Sequence, residues 1–198
     1  MSKKLAIGLF AVSLPLSVTA APETYTINPS ETFPSFEVNT LVHFTNRLGR
    51  FDKTTGKFTI DRAAKTGSLE VIIQAASVNT GDSERGGRPR TRDEHLRSPD
   101  FFNVAEFPTI TYKATAVRFN GDNPATIEGQ FTMLGVTRPL TLNVDSWKCG
   151  VYPFGKKPEA CGGNASGTLK RSDFGMKYGI PNYSDEIKLL ISFFGFKD

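Results

Sequence analysis

Apolar and polar residues alternate at every second position over most of the chain after residue 23. The clearest run is 109–119, where Ile110, Tyr112, Ala114 and Ala116 share one face and Thr or Lys residues fill most of the other. A period of two residues predicts a β-strand with one buried face. Comparable runs predict strands at 24–27, 36–44, 57–61, 68–78, 109–119, 126–134, 138–147, 164–171 and 186–196. In the run 36–44, Phe44 falls on the same face as Phe36.

One stretch interrupts this alternation. A polar, glycine-rich segment at 81–91 leads into a charged stretch that begins at Arg92 and is typical of a short helix. The alternation resumes after Pro108. We therefore predict an all-β protein with one short helical insertion. Turn signals spaced about 8–12 residues apart are typical of a sandwich or a barrel, and periodicity alone leaves both open.

The first twenty residues have a different character. Lys3 and Lys4 precede an apolar run at 5–16, and Val18 and Ala20 provide the small residues of a signal-peptidase site. The run is shorter than the roughly 20 apolar residues of a membrane-spanning helix, which argues against a membrane anchor. We predict an export signal at 1–20 and a single domain at 21–198.

Charge and cysteine content narrow the classes of function. Removing residues 1–20 takes away two of the 24 Lys and Arg and none of the 20 Asp and Glu, so the net charge falls to +2. This balance does not support a nucleic-acid partner. Cys149 and Cys161 predict a disulfide in an exported chain, worth roughly 3 kcal/mol by loop entropy. A metal or redox pair is the alternative, but no further Cys or His lies close by in sequence.

The faces assigned to the interior carry many aromatic rings. The chain has 16 Phe and five Tyr but one Trp. These rings either fill a core or line a cavity, and the small residues Ala75, Ala114 and Gly129 leave room for the second. An aromatic cavity suits a chain-like lipid, because burying each CH₂ contributes about 0.8 kcal/mol. The candidate ligand-binding residues are Phe36, Val38, Phe58, Val71, Ile73, Ile110, Tyr112, Phe131, Met133, Leu142, Ile191 and Phe193.

Candidate polar chemistry centres on His95, which lies between Arg92 and Arg97. No nucleophile pattern accompanies this histidine, so we predict no catalytic residue and no enzymatic activity. The other histidine, His43, is distant in sequence, and no metal site is predicted. Arg92, His95 and Arg97 are instead candidates for contact with a lipid head group. The arginines of 81–91 are either solvated or contact anionic lipids at a membrane surface.

Three motifs resemble the YceI-like family of bacterial periplasmic proteins. The central one combines the strand end 77–80, the helix 92–102 with its Arg-Asp-Glu-His-Leu start, and the strand that begins Pro108-Thr-Ile. Segment 129–140 resembles the Gly-x-Leu-Thr and Gly-Val-Thr-x-Pro strand pair of the family. Segment 171–176 resembles its Arg-x-Asp-Phe-Gly element. The resemblance covers nearly all of residues 21–198.

The resemblance implies an extended antiparallel eight-stranded lipocalin-like barrel with a long apolar channel. It also implies a periplasmic carrier for an isoprenoid lipid, such as ubiquinone or polyprenyl phosphate, with no other cofactor required. An enzyme acting on such a lipid or quinone is one alternative, and an interaction module with a filled core is another. A transient contact with a membrane surface and a homodimer are open expectations.

Overall fold

The computed structural model describes residues 21–40, 44–156 and 158–198. The predicted signal segment and His43 lie outside these residues. The described strands are β1 (Glu23–Ile27), β2 (Phe33–Thr40), β3 (Thr45–Phe51), β4 (Thr54–Asp61), β5 (Thr66–Gln74), β6 (Val78–Asn79), β7 (Thr109–Asn120), β8 (Asn123–Met133), β9 (Val136–Val151), β10 (Glu159–Lys170) and β11 (Tyr183–Lys197), and the α-helix is α1 (Arg92–Leu96). No helix in this part of the chain has the length and hydrophobicity needed to cross a membrane.

The strands form a closed antiparallel barrel. Eight of them follow the order β1-β4-β5-β7-β8-β9-β10-β11, and β11 pairs back to β1 to complete the ring. The predicted eight-stranded barrel with one helical insertion is therefore confirmed. Closure removes exposed sheet edges, and inward side chains from every strand then meet in one interior.

β11 is long enough to define two ends of the barrel. Its first residue, Tyr183, pairs with Thr40 of β2, and its last residues pair with β1 and with the start of β10. At about 3.3 Å per residue, these two ends are roughly 45 Å apart along the strand. We call the Tyr183 end the helix end, because Tyr178 packs there against His95 of α1. The other end carries Cys149 and Cys161, and we call it the disulfide end.

β3 is a strand that the alternation did not predict. Its sequence, Thr-Asn-Arg-Leu-Gly-Arg-Phe, is mostly polar, yet it pairs with β2 over six residue pairs and then with β6. Gly49 lies opposite Phe36, and a Cβ atom at Gly49 would overlap the Phe36 ring. The prediction that Phe44 faces inward is wrong, because β2 ends at Thr40 and Phe44 is 84% exposed.

A β-bulge in β7 changes which of its residues face the interior. The register between β7 and β8 shifts between Ala114 and Ala116. The extra residue moves the alternation by one position. Val117 therefore lines the interior, and the predicted inward position of Ala116 is wrong.

Helix α1 begins with a capping box. Thr91 Oγ1 accepts a hydrogen bond from Glu94 N at 3.1 Å, and Glu94 Oε2 accepts one from Thr91 N at 2.7 Å. This arrangement satisfies backbone donors that the first helical turn leaves free. Asp93 joins the helix to the residue that follows β6. Its Oδ1 accepts hydrogen bonds from Thr80 N at 3.0 Å and from Thr80 Oγ1 at 2.6 Å.

Cys149 and Cys161 form the predicted disulfide. They face each other in the β9–β10 ladder with their Cα atoms 4.1 Å apart. β9 continues past Cys149 to Val151, and β10 already begins at Glu159. The bridge therefore joins two paired strands, and the loop beyond it is shorter than the sequence indicates.

Candidate functional site

The barrel encloses a cavity of about 570 Å³. This volume lies within the range of about 300–1,000 Å³ that is typical of small-molecule sites. The structure places every predicted wall residue on this cavity: Phe36, Val38, Phe58, Val71, Ile73, Ile110, Tyr112, Phe131, Met133, Leu142, Ile191 and Phe193. The interior is therefore a lined cavity between two packed apolar clusters, and it is not a filled core.

Several wall residues were not singled out from the sequence. Phe51, Phe102 and Met176 come from β3, from the segment after α1 and from the segment before β11, and all three line the cavity as members of one buried apolar cluster. The Phe51 and Phe102 rings pack edge to face at 5.3 Å, and each also contacts the Phe36 ring. Phe102 ends the segment 92–102 of the central motif, and this membership was the available signal. Met176 ends the motif segment 171–176, whereas Phe51 carried no signal, because it lies between Arg50 and Asp52.

Aromatic packing closes the disulfide end of the cavity. Tyr25 stacks on Phe58 with ring centroids 5.0 Å apart, and Trp147 contacts Phe58 and Phe193 at 5.7 and 5.8 Å. Tyr25 and Phe58 are almost fully buried. These four rings, which we call the aromatic cluster, leave the helix end as the more polar end of the cavity.

Tyr112 presents an apolar surface to the cavity although it is a phenol. Its hydroxyl lies 3.0 Å from Ile127 O and 3.1 Å from Leu140 O, so the wall itself accepts its proton. Burial raises the pKa of Tyr112 well above its usual value. A Cβ atom at Gly129 would lie 2.6 Å from the Tyr112 ring, which explains the glycine at this wall position.

Polar side chains line the cavity at the helix end. Arg92 and His95 both lie on the cavity, and Arg92 Nη1 donates to Thr80 Oγ1 at 3.1 Å. His95 Nε2 lies 2.9 Å from Asp100 Oδ2, and the His95 ring packs edge to face on Tyr178. His95 and Arg90 together hold the pKa of Asp100 below its usual value. We call this group of residues the mouth.

Arg97, the third head-group candidate, is not brought to the cavity. Its Nε donates to Ala76 O and its Nη2 donates to Val78 O, both at 2.8 Å. The side chain therefore joins α1 to the segment between β5 and β6. This role depends on which carbonyls lie nearby in the fold, and the position of Arg97 in the sequence does not reveal it.

The arginines of 81–91 have carboxylate partners. Arg85 pairs with Glu94 at 2.7 Å, Arg88 with Asp82 at 2.8 Å, and Arg90 with Asp100 at 3.0 Å. The Arg88 guanidinium lowers the pKa of Asp82 to about 2, and the Arg85 guanidinium lowers that of Glu94 to about 2. The arginine cluster is thus largely neutralised by acids of the same region.

Arg171 is a buried cation beside the cavity. It is 3% exposed, and it donates to four backbone carbonyls, those of Met176, Tyr178, Tyr183 and Ser184, at 2.9–3.2 Å. Desolvation lowers the pKa of Arg171, and the negative charge of Asp185 partly opposes this. The guanidinium holds the segment 176–184 in place over the mouth.

The site offers no arrangement of ligands for a metal ion. Among residues 21–40, 44–156 and 158–198, no group of three His, Cys, Asp or Glu side chains lies close enough to hold one. The polar groups of the mouth can donate hydrogen bonds to an electronegative head group, and the rest of the cavity can bury an apolar chain.

A closed antiparallel barrel around one apolar cavity defines a class of small barrels that can hold a hydrophobic ligand. Within this class, the chain belongs to the YceI-like family, whose domain model matches residues 25–194. Protein YceI of Escherichia coli O157:H7 is 34% identical over 194 residues, which cover 96% of each chain. A UPF0312 protein of Pseudomonas aeruginosa is 39% identical over 150 residues, covering 75% of this chain and 73% of the relative.

The fold is also shared with a solved polyisoprenoid binding domain from Saccharophagus degradans, implicated in plant cell wall breakdown. The two structures have a TM-score of 0.60 and are 16% identical in sequence, and the match covers 88% of this chain and 98% of that domain. The resemblance to the YceI-like family that the sequence motifs indicated is confirmed.

Proposed function

We propose that this protein binds one long isoprenoid lipid, of the ubiquinone or polyprenyl phosphate type, and carries or stores it in the periplasm. The observation that carries the proposal is the continuous apolar cavity of about 570 Å³, which the aromatic cluster closes at one end and polar groups line at the other. The polyisoprenoid-binding character of the Saccharophagus degradans domain supports the same class of ligand.

Burial of the apolar lipid tail contributes most of the expected binding free energy. Each CH₂ moved from water to the cavity contributes about 0.8 kcal/mol, before the cost of ordering the chain is subtracted. Tyr112 adds ring surface without an unpaired hydroxyl, because its proton is accepted within the wall. The cavity therefore favours length and hydrophobicity over any particular polar group.

The head group would lie at the mouth, near Arg92 and His95. Arg92 is bonded there to one neutral hydroxyl, that of Thr80, so its guanidinium retains donors for a ligand oxygen. A phosphate would form hydrogen bonds with Arg92 in which donor and acceptor are both charged, whereas a quinone carbonyl would be a neutral acceptor and would gain no ion pair.

Binding without chemical change is part of the proposal. The His95 imidazole is oriented by Asp100, and its other observed ring contacts are Phe101 and Tyr178, neither of which is a nucleophile. Incubation of the protein with isotopically labelled ubiquinone or polyprenyl phosphate should return the lipid unaltered. An altered product that disappears in His95→Ala would support the enzyme alternative instead.

Native mass spectrometry of the protein purified from its own export compartment tests lipid binding. We expect one bound lipid, lost in Ala165→Phe, because Ala165 is 3% exposed and lines the cavity. Thr168→Phe is the matched control, since Thr168 lies on the exposed face of the same strand. An empty wild-type protein would contradict the proposal. In a filled interior, Ala165→Phe would cost about 1–3 kcal/mol of stability, whereas a cavity accommodates the ring.

The N-terminal sequence of the exported protein tests the location. We expect it to begin at or next to residue 21, because Ala20 provides the small residue before the cleavage point. A chain that retains residues 1–20 and fractionates with the cytosol would remove the periplasmic part of the proposal.

A further inference from the structure

We propose that the rim around the mouth docks onto an anionic phospholipid bilayer, and that lipid passes between bilayer and cavity through this contact. This inference rests on the proposed lipid-binding function and names the surface from which the lipid is loaded. The rim consists of Phe44, Leu48, Tyr178 and Ile180, together with the cations Arg47 and Lys177.

Exposed apolar residues concentrate at this end of the barrel. Of the seven large hydrophobic residues that are exposed among the described residues, four lie in the turn and strand after β2 or in the segment before β11. These are Phe44 at 84%, Leu48 at 60%, Tyr178 at 46% and Ile180 at 38% exposure. Clustered apolar exposure of this kind marks an interaction surface.

The backbone brings the two parts of the rim together. Tyr183 pairs with Thr40 across β11 and β2. Phe44 N donates to Thr40 O at 3.1 Å, and Tyr183 N donates to Gly179 O at 2.9 Å. Phe44 and Ile180 are thus carried by adjacent turns, although they are far apart in sequence.

The rim borders the cavity directly. Leu48 and Tyr178 are exposed to solvent and also line the cavity. An apolar tail that entered between them would move from bilayer to cavity without full exposure to water. Each CH₂ exposed on a route through water would cost about 0.8 kcal/mol, so a docked mouth lowers the barrier to transfer.

The positive charge of the rim indicates the kind of surface to which it binds. Arg47 and Lys177 have no carboxylate within 4.0 Å among the described residues, whereas Arg85, Arg88 and Arg90 nearby are neutralised by acids. The uncompensated charge of the rim is therefore positive. Juxtaposed cations and apolar side chains suit the surface of a bilayer that contains anionic lipids.

Vesicle flotation with a matched pair of variants tests the docking. Phe44→Ser combined with Ile180→Ser removes rim residues that do not line the cavity. Val151→Ser combined with Phe154→Ser removes two exposed apolar residues, at 63% and 69%, from the disulfide end. We expect the rim variant to bind phosphatidylglycerol-containing vesicles about tenfold more weakly than the wild type. The control should differ by less than about twofold.

Charge is tested separately with Lys177→Gln and with vesicles that lack anionic lipid. We expect roughly fivefold weaker binding to the anionic vesicles for Lys177→Gln, and little binding of the wild type to pure phosphatidylcholine. Equal binding of the wild type to both vesicle types would overturn the inference. So would equal losses in the rim and control pairs, or association with a second copy of the chain in place of vesicles.

Lipid occupancy separates failure of the inference from failure of the proposed function. Native mass spectrometry should show the rim variant as fully loaded after long equilibration, with slower transfer of lipid to acceptor vesicles. A loaded wild type that ignores vesicles contradicts the docking alone. A wild type that binds vesicles but never contains lipid contradicts the lipid-binding function, and with it the transfer role of the rim.

Discussion

The two ends of this barrel are built from different interactions. At the disulfide end, backbone pairing closes the ring, the Cys149–Cys161 bridge joins two paired strands, and the aromatic cluster fills the interior. At the helix end, α1 and the segment 176–184 cover the opening through side-chain hydrogen bonds and ion pairs. The disulfide end thus has a covalent bridge and a closed backbone ring in addition to ion pairs such as Lys197–Glu23. The cover over the helix end is held by polar side-chain contacts without such a bridge.

Because of this difference, the disulfide end stabilises the fold, whereas the helix end gives access to the cavity. Backbone ladders and a disulfide do not open without loss of a large part of the fold, because many interactions break together. Side-chain hydrogen bonds at a partly exposed mouth are individually weak, so local opening there costs much less than global unfolding. A barrel that holds a long ligand needs both properties, one at each end.

The largest expected effect comes from removing the disulfide bond. Cys149→Ser combined with Cys161→Ser should lower the free energy of unfolding by about 3 kcal/mol, because the bridge restricts the unfolded chain. Chemical denaturation of the variant, of the reduced wild type and of the oxidised wild type measures this loss. If the variant and the reduced wild type are as stable as the oxidised wild type, the bridge does not contribute to the stability of this end.

The corresponding change at the helix end is Arg171→Met. It leaves four backbone carbonyls, which are buried or partly buried, without the guanidinium, and we expect a loss of about 2 kcal/mol. Hydrogen exchange should rise in 176–184 and stay unchanged at β1 and β10. Lys170→Met, at an exposed neighbouring position, is the control. Uniformly faster exchange throughout the barrel would show that the two ends are not independent.

Selectivity for the lipid head group tests whether Arg92 and His95 bind it at the mouth. Arg92→Gln with His95→Gln should weaken a polyprenyl phosphate by about tenfold and leave a polyprenol of equal tail length nearly unchanged. Arg97→Gln provides the contrast, since Arg97 bonds to Ala76 O and Val78 O. It should reduce stability without a change in selectivity. Equal losses for both lipids in the first variant would remove Arg92 and His95 from the site.

The smallest effect is expected from pH at the disulfide end. The Lys197 ammonium, with help from Arg62 and Tyr25, lowers the pKa of Glu23 from its ordinary value of 4.5 to about 2. Because the folded pKa is depressed, the stabilisation is complete above about pH 4.5 and is lost as the pH falls through about 2. Glu23→Gln should therefore be less stable than the wild type at pH 6, with a difference that shrinks towards pH 2. A difference that is constant with pH would exclude the ion pairs as its cause.

Sequence reasoning was most successful where the signal is local. The alternation in 68–78 placed Leu69, Val71 and Ile73 on the inner face, because strand side chains alternate whatever the strand pairs with. It failed at β3, where a polar strand is held by its neighbours, and at Ala116, where a bulge shifts the alternation. Propensity and period do not record such pairings.

The sequence by itself determined most of the strand faces, the short helix, the cysteine pair and the resemblance to the YceI-like family. Only the tertiary structure decided that the ring closes through β11 and that its interior is a cavity. It also decided that Arg92 reaches the mouth while Arg97 binds backbone carbonyls. The reason is physical: a local pattern reports which face is buried, whereas enclosed volume and side-chain partners depend on residues that meet only after the barrel closes.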